Sequence, residues 1–282
     1  MRIDNNTEIF GLLGYPVRYS LSPTMHNAAF GELGINAVYL CFEVRPEDLK
    51  GAVGGLKALG ISGANVTVPH KVEIINLLDE LEDKVKSTGS VNTVKNLEGR
   101  LIGFNTDGIG FIKSLKEDLD IEPKAKNFFI FGAGGAGRAV GFNLAKEGAS
   151  QIYFFDAIKM RAEKLVERLR EQFQNCTISQ ILEISPSTFE AVDVIINATP
   201  QGMKEGDSLL FDLNFVSPKT AIYDLIYNPK ETKLVKEAKK RRLKAVNGLG
   251  MLLYQGAESF KIWTHKNAPL EVMKKALLKA LP

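Results

Sequence analysis

Phe128-Phe129-Ile130-Phe131-Gly132-Ala133-Gly134-Gly135-Ala136-Gly137 is the stretch from which the fold can be read. Four consecutive apolar residues suit a strand buried on both faces. Three glycines then follow at the spacing G-x-G-x-x-G, and apolar positions resume at helical period over 135–146. Alone the glycine pattern is weak, because tight strand-to-helix turns use glycine anyway. A strand before it and a helix after it supply the missing specificity. The first glycine permits the turn, the second lets backbone amides approach a pyrophosphate, and the third lets helix and strand pack closely. Gly132, Ala133, Gly134, Gly135, Ala136 and Gly137 are therefore expected to hold a dinucleotide. A second apolar run, Ile152-Tyr153-Phe154-Phe155, ends in Asp156, nineteen positions after Gly137. A carboxylate there accepts hydrogen bonds from a ribose diol and repels a 2′-phosphate. It equally suits the cap of the next helix. Lys159 and Arg161 follow closely and offset part of the repulsion, so the cofactor is read as NAD or NADP, with Asp156 leaning toward NAD.

The same alternation extends in both directions. Strands are expected at 9–13, 38–44, 63–68, 127–131, 151–155, 193–197 and 221–225. Helices are expected at 46–59, 71–81, 135–146, 159–173, 231–241, 251–263 and 270–281. Such alternation means a mainly parallel α/β sheet with right-handed crossovers. At 282 residues the chain exceeds the usual single core. The expected plan is an α/β substrate-binding domain over 1–106 and a Rossmann-type dinucleotide-binding domain over 107–248. Purely helical residues 249–282 would return to complete the first domain. Ligands would then sit at the carboxyl ends of the strands.

Composition narrows the function classes. Hydrophobic residues make up 45% and charged residues 24%, ordinary for a soluble globular protein. A net charge of +3, from 36 basic and 33 acidic side chains, is too balanced for a nucleic-acid protein. The run Lys239-Lys240-Arg241-Arg242 suits the negative end of a helix dipole, with an anion patch as the alternative. No run approaches the ~18 apolar residues of a membrane span. Cys41 and Cys176 form no disulfide framework and no signal peptide is visible, so a cytoplasmic monomer or homodimer is expected. His26, His70 and His265 are too scattered for a metal site, and none is expected.

The chemistry enters with Asn65-Val66-Thr67-Val68-Pro69-His70-Lys71, answered by Asp107 in Gly103-Phe104-Asn105-Thr106-Asp107-Gly108. Proline suits the first turn of a helix, which places Lys71 at the start of the helix expected over 71–81. The positive end of a helix dipole disfavours an ammonium and so favours a neutral amine able to take or give a proton. A nearby Asp107 would push the other way and hold the group in place. The alternative is a solvated surface lysine. An amine and a carboxylate beside a dinucleotide site point to carbonyl reduction or its reverse.

Five blocks together resemble shikimate dehydrogenase and its quinate/shikimate-using relatives. They are Tyr19-Ser20-Leu21-Ser22-Pro23; the run from Asn65 to Lys71; Val91-Asn92-Thr93 with Asn105-Thr106-Asp107-Gly108; the glycine loop; and Asn247-Gly248-Leu249-Gly250-Met251 with Gln255. The resemblance implies NAD(P)-linked, reversible reduction of 3-dehydroshikimate to shikimate, on the route to chorismate and the aromatic amino acids. It also implies Lys71 and Asp107 as the catalytic pair. One departure bears on the cofactor. NADP-using members carry Asn-Arg-Thr or Asn-Arg-Ser after the second strand, and here the run is Asp156-Ala157-Ile158. The arginine that would grip a 2′-phosphate is missing, as in the NAD-accepting branch, which keeps quinate open as a second substrate.

A small polyhydroxy carboxylate needs donors for its carboxylate and mixed polar groups for its ring. In an extended strand Ser20 and Ser22 would project to one side, with Pro23 holding Ser22 extended; a turn or helix-cap pair is the alternative. Asn65 and Thr67 would share a strand face, with Val66 and Val68 turned to the core. Asn92 and Gln255 are amides among apolar neighbours and must find partners, from substrate or from local backbone. Tyr227 matches the family's substrate-side tyrosine. Nicotinamide placement would fall to Thr199, Leu225, Gly248 and Met251, with Asp83 at a family position near the cofactor or simply solvated at a helix end. A silent nucleotide sensor is the alternative from another class.

Overall fold

The computed structural model describes residues 3–281, which form two compact units. Residues up to Gly110, joined by those from Leu252 onward, make the first; Phe111–Met251 make the second. Along the chain the first unit begins with β1 (Glu8–Gly14), α1 (Ser22–Glu32), β2 (Ala37–Glu43), α2 (Leu49–Ala58) and β3 (Gly63–Val66). It continues through β4 (Glu80–Leu81), α3 (Asp83–Thr88), β5 (Thr93–Leu97), β6 (Arg100–Phe104) and into α4 (Asp107–Leu119). Its sheet has the order β2-β1-β3-β5-β6-β4. The pairs β1–β2, β1–β3 and β4–β6 are parallel, whereas β5 runs antiparallel to both β3 and β6.

The second unit carries β7 (Asn127–Phe131), α5 (Gly135–Lys146), β8 (Gln151–Phe155), α6 (Lys159–Gln172), β9 (Thr177–Gln180), β10 (Val194–Asn197), β11 (Ala221–Asp224), α7 (Lys233–Lys240) and β12 (Ala245–Val246). Its sheet is parallel throughout, in the order β12-β11-β10-β7-β8-β9. Both faces are covered. Phe128 and Ile130 pack into one core layer, Phe129 and Phe131 into the other, and this is why the strand reads as an unbroken apolar run. The chain then enters α8 (Leu249–Thr264) and α9 (Leu270–Ala280). Phe260 and Trp263 of α8 close the core of the first unit. Trp263 lies tilted 5.0 Å from Phe10, Phe260 lies 5.3 Å from Phe30, and Trp263 Nε1 donates to the Val94 carbonyl at 3.0 Å. The α/β plan with helices returning to the first unit is therefore present.

Three local expectations are corrected. No α-helix spans 71–81; a 3₁₀ turn covers Glu73–Leu77 and the chain then becomes a strand. The amides of Asp79 and Glu82 bond to the carbonyls of Leu101 and Gly103, and Glu80 and Leu81 stand in parallel register with Ile102 and Gly103 of β6. Strand pairing, invisible to periodicity, takes the backbone groups a helix would need. Second, β3 stops at Val66, so Val68 lies in a turn and is 62% exposed instead of facing the core. Third, Ser20 to Ser22 are not extended. Leu21 is helical at φ −88°, ψ −4°, Ser22 opens α1, and Pro23 occupies the first turn, where its missing N–H costs nothing. Strands β4, β5, β6, β9 and β12 and helices α1, α3 and α4 are not among the elements expected from the sequence.

Candidate active site

The backbone after β3 turns sharply, with the Thr67 amide bonded to Leu13 O at 2.9 Å and the Lys71 carbonyl accepting from Val91 N at 2.8 Å. Lys71 thus sits in a turn pinned at both ends, with Nζ 2.5 Å from Asp107 Oδ2. Both side chains are largely buried, 13% and 4% exposed. The helix start belongs to the acid instead of the amine, because Asp107 is the first residue of α4. A carboxylate there is favoured by the helix dipole. The Asp107 amide is also held by Asn105 Oδ1 at 3.0 Å. The electrostatic setting is therefore the reverse of that expected: the helix start carries the acid, and the amine lies in a turn outside any α-helix.

Asn92 fixes the other carboxylate oxygen. Its Nδ2 donates to Asp107 Oδ1 at 2.8 Å and faces Gln255 Oε1 at 3.1 Å and Thr106 Oγ1 at 2.9 Å. Its Oδ1 accepts from Thr106 N at 2.8 Å and Thr93 Oγ1 at 2.9 Å. Gln255 Nε2 donates to the Leu252 carbonyl at 2.9 Å, which leaves one amide hydrogen for another acceptor. Asn65 is engaged all round. Its Oδ1 accepts from the Tyr39 hydroxyl at 2.8 Å, and Nδ2 faces Asn92 O, Thr93 Oγ1 and Ser259 Oγ at 3.0–3.1 Å.

So Lys71, Asp107, Asn65, Asn92 and Gln255, scattered through the sequence, lie in one buried network. Tyr39, Thr93, Thr106 and Ser259 were missed. Their adjacency to singled-out residues (Thr93 beside Asn92, Thr106 beside Asp107, Ser259 one turn after Gln255) was the available signal. Ser22 is buried, whereas Ser20 and Thr67 are half-buried, and Ser20 Oγ accepts from Ser22 N at 3.2 Å. His26 is fully buried against Tyr39, with ring centroids 4.5 Å apart, while His70 bonds to Val44 O at 2.7 Å. Asp83 opens α3 and pairs with Lys86 at 2.9 Å, its side chain 96% exposed.

In the second unit the glycine loop joins β7 to α5. Gly132 adopts φ +98°, and a Cβ on Gly137 would lie 2.0 Å from Gly132 O. Nothing lies within 4 Å of where a Cβ on Gly134 would project, at the entry to α5. The positive end of the α5 dipole, with that open space, fits a pyrophosphate. Asp156 Oδ2 accepts from Ala133 N and Oδ1 from Ile158 N, both at 2.8 Å, so the carboxylate braces the loop and caps the approach to α6. Arg138 of α5 faces it with Nε buried and unbonded. Burial lowers the Arg138 pKa, as do Arg168 and Arg161, while Asp156 opposes them. Lys159 and Arg161 are exposed on the first turn of α6.

The later loops of this unit hang on Asp224. Asn197 Nδ2 donates to Asp224 Oδ1 at 2.9 Å, and Asn197 Oδ1 accepts from Thr199 N and Oγ1 at 3.0 and 2.7 Å. Thr232 Oγ1 donates to Asp224 Oδ2 at 2.6 Å. Burial pushes the Asp224 pKa up to about 6, against the opposing effect of Thr232, Ile226 and Asn197. A Cβ on Gly248 would lie 2.0 Å from Leu225 O, so glycine is required there. Tyr227 is half-buried just beyond β11, and Met251 packs in the core. The basic run is paired locally: Lys239 with Glu231, Lys240 with Glu237, and Arg241 with Asn214. Among the described residues no helix is long and apolar enough to cross a membrane.

Comparison with known proteins gives the following. Residues 12–94 match the model of the shikimate dehydrogenase substrate binding domain, and residues 248–278 match that of the shikimate 5′-dehydrogenase C-terminal domain. A shikimate dehydrogenase (NADP+) from Methanopyrus kandleri is 44% identical, covering 99% of this chain and 98% of its own. A crystal structure of shikimate dehydrogenase in complex with NADP+ superimposes with a TM-score of 0.91 at 44% identity, covering 100% of this chain and 98% of that one. The enzyme from Listeria monocytogenes, in complex with shikimate and NAD, gives 0.86 at 38% identity, with 98% of each chain covered.

Proposed function

The chain belongs to the shikimate dehydrogenase family, and from that premise we propose that it interconverts 3-dehydroshikimate and shikimate with a nicotinamide dinucleotide. This is an oxidoreductase step toward chorismate and the aromatic amino acids. The single observation that carries the reading is the buried Lys71–Asp107 pair, braced by Asn92.

In the reducing direction Lys71, held by Asp107, is the proton donor. It gives a proton to the oxygen of the ring carbonyl as that oxygen becomes an alkoxide, and it recovers one from solvent. In the oxidising direction the amine takes the hydroxyl proton. Asp107 keeps the ammonium aimed while Asn92 occupies its second oxygen. A placed proton donor contributes about 10²–10⁴ in rate. Ser20, Ser22, Thr67 and Tyr227 supply hydroxyls, and Gln255 has one amide hydrogen available for a substrate oxygen. Asn65, engaged by Tyr39, Thr93 and Ser259, positions the network more than it contacts substrate.

The glycine loop would hold the pyrophosphate, with Thr199, Leu225, Gly248 and Met251 around the nicotinamide. A dinucleotide held there would supply the hydride for carbonyl reduction and accept it in the reverse direction. Both NAD and NADP are accepted in this reading. Asp156 disfavours a 2′-phosphate, but both its oxygens already receive backbone amides, and Arg138 offsets its charge.

Steady-state rates with shikimate and quinate, each with NAD and NADP, test the assignment. Shikimate is expected to exceed quinate with either nucleotide. Tight nucleotide binding without turnover of either acid would overturn it. Asp156→Asn is expected to lower the NAD-to-NADP efficiency ratio, and an unchanged ratio would remove Asp156 from cofactor choice.

A further inference from the structure

We infer that Tyr39 is a positioning residue for the Lys71–Asp107 pair, acting through a one-directional chain of hydrogen bonds that ends on the Asp107 carboxylate. The inference rests on the proton-transfer role proposed for that pair.

The direction of the chain is forced by groups whose roles cannot change. Thr106 N can only donate, and it lies 2.8 Å from Asn92 Oδ1; the Asp107 carboxylate can only accept, and it lies 2.8 Å from Asn92 Nδ2. The Asn92 amide therefore has one orientation. The Asn92 carbonyl can only accept, and it lies 3.1 Å from Asn65 Nδ2, so Asn65 is fixed too. Its Oδ1 then faces the Tyr39 hydroxyl at 2.8 Å, and the phenol must donate. Between the two amides stands Thr93 Oγ1, 3.1 Å from Asn65 Nδ2 and 2.9 Å from Asn92 Oδ1. In these two bonds it can only accept from the first and donate to the second, and with its one hydrogen so placed Ser259 Oγ, 2.8 Å away, must donate to it.

The bonds run from Tyr39 to Asn65, to Thr93, to Asn92 and onto Asp107, all in one sense. Every member is buried, at most 5% exposed. Aligned bonds in a low-dielectric interior polarise one another, so the last donor in the series is the strongest. Ser259 Oγ braces the middle, 2.8 Å from Thr93 Oγ1 and 3.0 Å from Asn65 Nδ2. At the origin the Tyr39 ring lies flat on His26, with 13° between planes, which fixes where the hydroxyl points. Packing alone would be served by phenylalanine at this position.

The test is a double-mutant cycle in the full-length enzyme with shikimate and NADP, paired with NMR of the Asn92 side-chain amide assigned through Asn92→Asp. Tyr39→Phe keeps the ring and removes the first donor. Thr93→Val keeps the shape and cuts the middle. Each is expected to lower kcat about three- to tenfold with the nucleotide KM unchanged. The double variant should be no slower than Thr93→Val, because the chain is already cut downstream. Thr93→Ser should recover most of the loss. The Asn92 amide resonance should shift in Tyr39→Phe, although the two residues do not touch. An unmoved resonance, or losses that multiply in the double variant, would overturn the inference. If Thr93→Val does not fold, the Asn92 resonance in Tyr39→Phe decides alone. The NMR arm needs no turnover, so failure of the chain and failure of the proposed reaction are told apart.

Discussion

His26 is fully buried with neither ring nitrogen bonded, and burial pulls its pKa down to about 3. An imidazole with no acceptor for its N–H costs about 1–3 kcal/mol. Because the folded value lies below the unfolded 6.5, the unfolded chain binds more protons between pH 3 and 6.5. Stability from this group is present above pH 6.5 and lost as pH falls toward 3. His26→Phe is expected to raise the melting temperature, and more at pH 5 than at pH 7.5. Equal melting temperatures for the two proteins at both pH values would show that the ring is satisfied some other way. The side chains the sequence marked were those with unusual chemistry for their setting: a lysine after a proline turn, an aspartate after Asn-Thr, amides among apolar residues. Tyr39, Thr93 and Ser259 carried no such mark, since serine, threonine and tyrosine read alike whether buried in a network or facing solvent.

Helices and strands whose apolar period is long and uninterrupted were legible from the sequence. Strand β7, α5 and β8 have the bounds the sequence suggested, because local pattern and tertiary burial agree there. The 71–81 segment was misread because its pattern Ile74, Leu77, Leu78, Leu81 fits a helix, while its backbone bonds to β6. The short antiparallel pair β5–β6 shows no apolar run in the sequence because Thr93, Lys95, Asn96 and Arg100 interrupt it. The glycine turn allows an element-level test. Gly137→Ala would set a methyl group 2.0 Å from Gly132 O, against backbone that cannot move freely. Such overpacking costs about 1–3 kcal/mol, and nucleotide affinity is expected to fall with it. Wild-type affinity by fluorescence titration would show that the turn relaxes.

At the scale of the whole molecule, each unit holds one buried group whose response to acid is opposite to that of the other. Asp224 in the second has a pKa near 6, above its ordinary 3.8, so its stabilisation is fully present below pH 3.8 and lost as pH rises through 6. Those two units of pKa correspond to roughly 3 kcal/mol. His26 in the first unit has the reverse slope. Calorimetry near pH 5 is expected to resolve two transitions, with Asp224→Asn flattening the pH dependence of the later one. A single transition at every pH would mean that the units do not unfold separately. The two-unit α/β plan itself was legible from strand-helix alternation, since each unit had to bury its own sheet. The electrostatic setting of Lys71 was not, because it depends on which helix supplies the terminus. The most direct test of the proton-transfer assignment is Lys71→Ala, with kcat and the shikimate Kd measured together. A fall in kcat of about two decades or more, with Kd nearly unchanged, is expected. A variant that keeps more than about a third of wild-type kcat would contradict it, since a placed donor contributes far more than that.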